Sequence, residues 1–413
     1  MRMGRRVVCT GLVTLLAATA WLRAEPAVDS PARGRIHGTV TTHAGSRYTG
    51  LIRWGGQEAF WDDLFQSAKL DLPYASYAKQ VEEPDDSEWW WQAAARKLAQ
   101  AVDPAKGRRV FVARFGDIAR IEVVGGNAAV VTMRSGTSYR VSGYANDVGA
   151  TLTVTDAELG EVEVAWGRVD VVEFSPAPPG AVFAGFRLYG TVDAGSHRLT
   201  GFIQWDEDEG LSTDRLDGDS QDGRVSIPFG TITGIGQRSA TSAQVELADG
   251  RVLLLKGTND VNAENRGILV EDPRYGRVRV PWRCFRRAEL ARPDGSGLGY
   301  DQFATPKRLR GTVTGTDGAT HVGRIHWDLD ASESWEMLDG TIGGIGYSIP
   351  FSTVSSLERT GSATIVTLTG GEELRFDVAE AAAVSPVGVV IEPDGDAETF
   401  LPWSKVRRID LAW

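Results

Sequence analysis

Carboxylates are the densest chemistry in this chain. After Trp205 and Trp327 the sequence places Asp206 and Asp328, Asp208 and Asp330, and Asp217 and Asp339 at matching offsets. An acid also stands nine residues after the corresponding tryptophan in three places, as Asp63, Asp214 and Glu336. Hard cations such as Ca²⁺ take six to eight oxygen ligands, which carboxylate-rich loops supply. The six aspartates are therefore candidate metal ligands, although their order departs from the EF-hand loop. A solvated acidic loop is the plainer expectation, and no cofactor is expected.

Aromatic side chains are the second feature. Trp89, Trp90 and Trp91 are consecutive, and on a helix neighbours about 100° apart cannot share one face. With Trp61 and Phe65 they form a candidate partner-binding set, a docking surface or a platform for stacking on sugars. Against this stands the expectation that large aromatics end up inside. Trp166, Trp282 and Trp403 read as core plugs, because each closes a repeated phrase.

Catalytic constellations are missing from the pattern. The five histidines include no pair at metal-ligand spacing, and neither a Gly-x-Ser-x-Gly elbow nor a phosphate loop is present. His37 and His326 exchange with Tyr189 or Arg310 and with Arg53 or Gln204 at repeated positions, which marks them as surface residues. Cys284 exchanges with Arg168 and Lys405 and reads as incidental. The expectation is a protein that is not an enzyme.

The elements that position these residues come from an internal repeat. Arg35-Ile-His-Gly-Thr-Val40, Arg187-Leu-Tyr-Gly-Thr-Val192 and Arg308-Leu-Arg-Gly-Thr-Val313 open three units, and a strand running from Gly50 to Trp54, Gly201 to Trp205 and Gly323 to Trp327 follows each. The separation from opening Gly to Trp is 16, 15 and 16 residues. Alternating apolar and polar flanks around Gly45, Gly195 and Gly318 predict a hairpin. From opening Gly to closing Trp (166, 282, 403) the spans are 128, 92 and 92 residues, so the first unit has an excess of 36.

A closing phrase occurs twice in each unit: Ile227-Pro-Phe229 and Val280-Pro-Trp282, Ile349-Pro-Phe351 and Leu401-Pro-Trp403, and in the first unit Val112-Ala-Arg-Phe115 and Val164-Ala-Trp166. Pro stops ladder pairing and permits a corner. Each half thus reads as a hairpin, a third strand, a strand ending at the Pro-aromatic bend, and a return strand. That half resembles the small barrels of the Sm-like and SH3-like kind. The resemblance is to a fold, spans nearly all of the chain after its N-terminal segment, and brings no family motif. It implies an all-β chain of three tandem repeats, each of two small SH3/Sm-like β-barrel halves, with one helical insertion in the first repeat.

The resulting division is 1–24 as a secretory signal peptide, 25–175 as repeat one with an insertion at about 55–107, 182–291 as repeat two and 307–413 as repeat three. The signal rests on Arg2, Arg5 and Arg6, the apolar run from Val7 to Leu22, and Ala24 before the cut. Within the insertion, Ser87 to Val102 predicts a helix, with Ser87 as N-cap and Pro104 beyond its end. The net charge of −11 becomes −15 once Arg2, Arg5, Arg6 and Arg23 leave, which argues against nucleic acid as a partner. No later segment is apolar enough for a transmembrane helix. The reading is a non-catalytic exported binding or scaffold protein of the cell envelope, periplasmic or secreted, whose partner is another envelope protein or a glycan. The alternative is a Ca²⁺-assisted or carbohydrate-binding module.

Overall fold

The computed structural model describes residues 32–80, 102–103, 108–143, 147–361, 363–377, 386–395 and 397–413. The signal segment lies outside the described residues, as do Trp89, Trp90 and Trp91 and the expected helix, apart from Val102, which begins a two-residue strand.

The fold is all-β, with three antiparallel sheets. The first unit runs β1 (His37–Thr42), β2 (Arg47–Trp54), β3 (Leu64–Lys69), β4 (Val102–Asp103), β5 (Arg108–Arg114), β6 (Ile118–Val123), β7 (Ala128–Met133), β8 (Ser138–Ser142), β9 (Leu152–Asp156), β10 (Gly160–Val164) and β11 (Val169–Phe174). The second runs β12 (Tyr189–Ala194), β13 (His197–Gln204), β14 (Arg215–Ser220), β15 (Gly223–Pro228), β16 (Ile232–Ser239), β17 (Ser242–Leu247), β18 (Val252–Lys256), β19 (Ile268–Asp272), β20 (Gly276–Val280) and β21 (Phe285–Ala291). The third runs β22 (Arg310–Gly315), β23 (Thr320–Trp327), β24 (Met337–Ile342), β25 (Ile345–Pro350), β26 (Val354–Thr360), β27 (Ala363–Leu368), β28 (Glu373–Asp377), β29 (Gly388–Glu392), β30 (Thr399–Pro402) and β31 (Val406–Leu411).

The two halves of a unit are nested rather than consecutive. In the first unit β11-β1-β2-β9-β10 form one run of the sheet and β6-β7-β8-β3-β5 the other, joined where β11 pairs with β6. The opening hairpin β1–β2 therefore pairs with the strands that end the unit, while β3 to β8 sit between them in the chain. This corrects the reading of each half as one continuous stretch. The two closing phrases are near copies, so local pattern does not say which hairpin each completes. The other units repeat the joint, with Ile235↔Ala288 and Leu357↔Ile409.

Each closing phrase, with or without its proline, ends its strand at a tight turn that buries the aromatic: Phe115, Trp166, Phe229, Trp282, Phe351 and Trp403 lie among the core side chains. The recurring glycines have a steric reason. A Cβ at Gly50 or Gly201 would sit 1.9 Å from the carbonyl oxygen of Thr155 or Glu271 on the crossing strand, so only glycine lets the strands approach.

The excess in unit one lies between β3 and β5, at residues 70–107, where the other units have only residues 221–222 and 343–344. That is 38 residues against two, a difference equal to the 36 counted in the sequence. The stretch 55–69, assigned above to the insertion, belongs to the common repeat.

The cores are shared. One runs continuously through units two and three, where β20 pairs with β25 across the boundary. The other fills unit one and takes in Phe303 from the linker and Trp335 from unit three. Gly116 packs on the Phe303 ring, and Arg134 donates to the carbonyls of Tyr300 and Phe303 at 2.8 and 2.7 Å. Among the described residues no helix is long and apolar enough to cross a membrane.

Candidate functional site

The loop after each hairpin tryptophan turns back at once. Its first two residues take left-handed backbone angles, as Gly55-Gly56 in unit one, Asp206-Glu207 in unit two and Asp328-Leu329 in unit three. The tryptophan N–H then closes on the carbonyl four residues on, in Glu58, Glu209 and Ala331. The acid nine residues after the tryptophan caps this loop. Asp63 Oδ2 accepts the backbone N–H of Ala59 and Phe60 at 2.7 and 2.8 Å. Asp214 Oδ2 accepts those of Gly210 and Leu211 at 3.0 and 2.8 Å. Glu336 Oε2 accepts those of Ser332 and Glu333 at 2.5 and 2.9 Å.

The second oxygen of each capping acid meets a cation from another unit. Arg277 of unit two lies 3.3 Å from Asp63, Arg53 of unit one 3.4 Å from Asp214, and Lys69 of unit one 2.7 Å from Glu336. The loops are thus the joints of the molecule. At the joint of units one and two, Phe60 packs with Leu211, and Arg187 pairs with Asp62 at 2.8 Å while lying over the Phe60 and Phe202 rings.

Five of the six candidate metal ligands have structural partners for their carboxylates. Asp206 is fully buried, with a salt bridge to Arg266 at 3.1 Å and a hydrogen bond from Asn259; Asp208 takes the same guanidinium at 3.2 Å. Asp330 accepts Lys69 Nζ at 2.8 Å, Asp328 accepts the Val387 N–H at 2.6 Å, and Asp339 accepts the Ser348 hydroxyl at 2.6 Å. Asp217 differs: its Oδ1 is buried with no hydrogen-bond partner among the described residues, while its backbone N–H donates to Asp260 Oδ2 and its carbonyl accepts the Thr258 hydroxyl. Burial works against charge on Lys69, but Glu336 and Asp330 outweigh it and hold its pKa above the ordinary value. Arg266 and Lys69 are built-in cations among carboxylates expected to be solvated or, as the weaker candidate, to hold an ion.

Among the described residues one carboxylate cluster has metal-like spacing: donor atoms of Asp206, Glu209 and Asp260 all lie within 4.8 Å of one another. Its Glu–Asp part recurs in unit one. Trp54 Nε1 donates to the Asp147 carbonyl and Trp205 Nε1 to that of Asp260, both at 2.9 Å. The Asp147 and Asp260 carboxylates each accept an N–H at 2.6 Å, from Gln66 and Asp217. Glu58 Oε2 and Glu209 Oε2 are buried and have no hydrogen-bond partner among the described residues. Burial, then Asp147 and Asp63, push Glu58 up to about 9; burial, then Asp260, Asp208 and Asp206, push Glu209 up to about 9. Asp147 and Asp260 rise to about 6, chiefly through burial. At neutral pH each pair is a neutral glutamic acid beside an aspartate. In unit one the place of Asp206 is taken by Gly55, so the pair recurs without the third carboxylate. Sequence reasoning missed Glu58 and Glu209, whose shared offset of four after the tryptophan was legible; Asp147 and Asp260 stand at unequal distances from their tryptophans and gave no signal.

Trp61 and Phe65 are fully buried, which corrects their reading as a docking surface. Phe65 fills the core position that Leu216 and Leu338 hold in the other units. Trp61 replaces Ser212 and Ser334, whose hydroxyls accept the N–H of Phe186 and Lys307. It packs instead against Phe174 and Tyr300, and the linker hydroxyl of Ser296 serves the matching N–H of Gly34. His37 and His326 are not surface residues either. His37 is buried and its Nδ1 hydrogen-bonds Ser175, and His326 lies against Tyr74 from the start of the insertion, with ring centroids 4.6 Å apart. Cys284 is half-buried in the turn before β21.

No family model and no curated protein matches this chain. A solved streptogramin B lyase structure is similar at 12% identity, over 72% of this chain and 94% of that one, with a TM-score of 0.12. A score that low supports no argument about fold or activity.

Proposed function

We propose that this chain is a non-catalytic, exported binding scaffold of the cell envelope, a rigid β frame that presents the excess segment of unit one to another envelope protein or to a glycan. The carrying observation is where that segment leaves the frame. Tyr74 and Tyr77 dock on unit three: the Tyr74 hydroxyl donates to Glu392, the Tyr77 hydroxyl donates to Glu398 at 2.6 Å, and the Tyr77 ring stacks on Phe400 at 5.0 Å. The segment containing Trp89, Trp90 and Trp91 therefore departs from a fixed place between two units.

The frame's acids support the same reading. Asp63, Asp214 and Glu336 cap loops and meet cations of a neighbouring unit, Asp330 shares Lys69 with Glu336, and Asp206 and Asp208 hold Arg266 within unit two. In this proposal each half-unit is a small barrel of the Sm-like or SH3-like kind, supported by the strand order and by the one-turn bend before the last strand. Export rests on the tripartite pattern of residues 1–24; the mass of the protein recovered from cells, intact or short by that segment, tests it.

Deletion of 81–101, which keeps Tyr74, Tyr77 and β4, tests the binding role. Cross-linking in intact cells should retrieve a partner with the full chain and lose it with the deletion, while both melt at the same temperature. Equal retrieval by the two forms would overturn the assignment of binding to this segment.

A further inference from the structure

We propose that copies of this chain assemble edge to edge, β10 of one copy pairing antiparallel with β15 of the next. Every half-unit ends in an edge strand that precedes its tight bend, and the six edges have different fates. β20 and β25 pair with each other, at Arg277↔Ser348, Val278↔Tyr347 and Arg279↔Gly346. β5 is paired by β4, and β30 is met by Tyr77 on Phe400. Among the described residues β10 and β15 have no second neighbour: each ends its run of sheet.

These two bare edges are the repeat equivalents of the pair that already joins units two and three. Aligned on the closing aromatics, Gly160-Glu-Val-Glu-Val164 matches Gly276-Arg-Val-Arg-Val280, and Gly223-Arg-Val-Ser-Ile-Pro228 matches Ile345-Gly-Tyr-Ser-Ile-Pro350. The internal joint thus dictates a register for the external one, with Glu161 opposite Ser226, Val162 opposite Val225 and Glu163 opposite Arg224. The central pair shows what is missing. Val278 and Tyr347 are 0% and 2% exposed inside their joint, whereas Val162 and Val225 are only half-buried at their open edges.

Charge selects the partner. β10 presents Glu161 and Glu163, both exposed, where β20 has arginines. β15 presents Arg224, and Arg215 reaches Ser226 across the hairpin at 2.8 Å, so it stands beside the position facing Glu161. Opposite charges across a ladder favour the pairing and like charges oppose it. An unpaired edge with free N–H and C=O groups is a template for another strand unless it is blocked. β10 and β15 are different surfaces, so the contact is head-to-tail and builds a ring or a filament.

Sedimentation of the chain over a concentration series tests the proposal. The wild type should exceed the monomer mass as concentration rises. Glu163→Arg and Arg224→Glu should each weaken association roughly tenfold by placing like charges opposite one another. An equimolar mixture of the two variants should recover it, as should the double variant, and recovery separates a broken joint from a misfolded chain. Val162→Lys should weaken it further, since the joint buries that position. A wild type that stays monomeric at its solubility limit, or single variants that assemble as well as the wild type, would overturn the proposal. With Cys284→Ser, Glu163→Cys and Arg224→Cys combined, a disulfide between chains supports it, and one closing within a single chain refutes a second copy as the partner.

Discussion

The acidic loops of units two and three carry aspartates at the same offsets and use them in opposite ways. In unit two Asp206 and Asp208 enclose Arg266 of their own unit. In unit three Asp330 joins Glu336 around Lys69, which arrives from unit one. What the loops share is the ninth-position acid that caps their backbone, because every unit must satisfy the same N–H groups. The remaining carboxylates are free to take whichever cation packing supplies. Equal spacing in a repeat therefore signals equal backbone need, and only secondarily equal chemistry.

The largest expected effect breaks this comparison at Lys69. Its side chain is 5% exposed and Glu336 6%, so Lys69→Ala strands buried charge at the joint of units one and three. Removing one partner of a buried pair costs about 3–5 kcal/mol. Arg266 is 43% exposed and Asp206 keeps the Asn259 amide and the backbone N–H of residue 266. Arg266→Ala should therefore cost less, about 1.5–3 kcal/mol, the worth of hydrogen bonds to a charged group. Denaturant unfolding of both variants checks the order; equal losses would mean that the two loops are equivalent after all.

The middle-sized effect concerns the glutamic acids that units one and two share and unit three lacks, Ala331 standing in their place. Glu58 and Glu209 titrate near 9 in the folded chain against an ordinary value of 4.5. The folded state holds protons that the unfolded state has released, so their contribution is full below about 4.5 and is lost as pH climbs toward 9. Asp147 and Asp260, at about 6, add a smaller loss of the same sign between about 3.8 and 6. Melting temperature should fall from pH 5 to pH 9, and Glu58→Gln with Glu209→Gln, neutral at every pH, should flatten that fall. An unchanged slope in the double variant would show that these two groups do not titrate as described.

Much of the frame was legible because the repeat wrote it three times. The hairpins, the plugging aromatics and the size of the excess follow from spacings that packing enforces. Nesting was not legible, since two near-identical closing phrases leave the partner of each hairpin open until long-range pairing decides. The same limit hid the fate of Trp61. Its neighbours Phe174 and Tyr300 come from distant parts of the chain, and nothing near position 61 announces that a linker residue 239 positions away packs on it. Lys69 met its acids by the same long route.

The smallest expected effect is that of added Ca²⁺, and it sharpens the difference between a cluster of acids and a metal site. Asp206, Glu209 and Asp260 have suitable separations, but Arg266 already neutralises Asp206 and one Asp260 oxygen is spent on the Asp217 N–H. Glu209 is neutral at pH 7 in its buried place. A cation would have to displace a guanidinium and a proton and would still lack most of the six to eight oxygens that Ca²⁺ takes. Millimolar Ca²⁺ at pH 7 should leave the melting temperature unchanged, because only a ligand that prefers the folded state raises it. A rise that Glu209→Gln abolishes would reverse the assignment and make unit two a metal site that unit one, with Gly55 in place of Asp206, cannot reproduce.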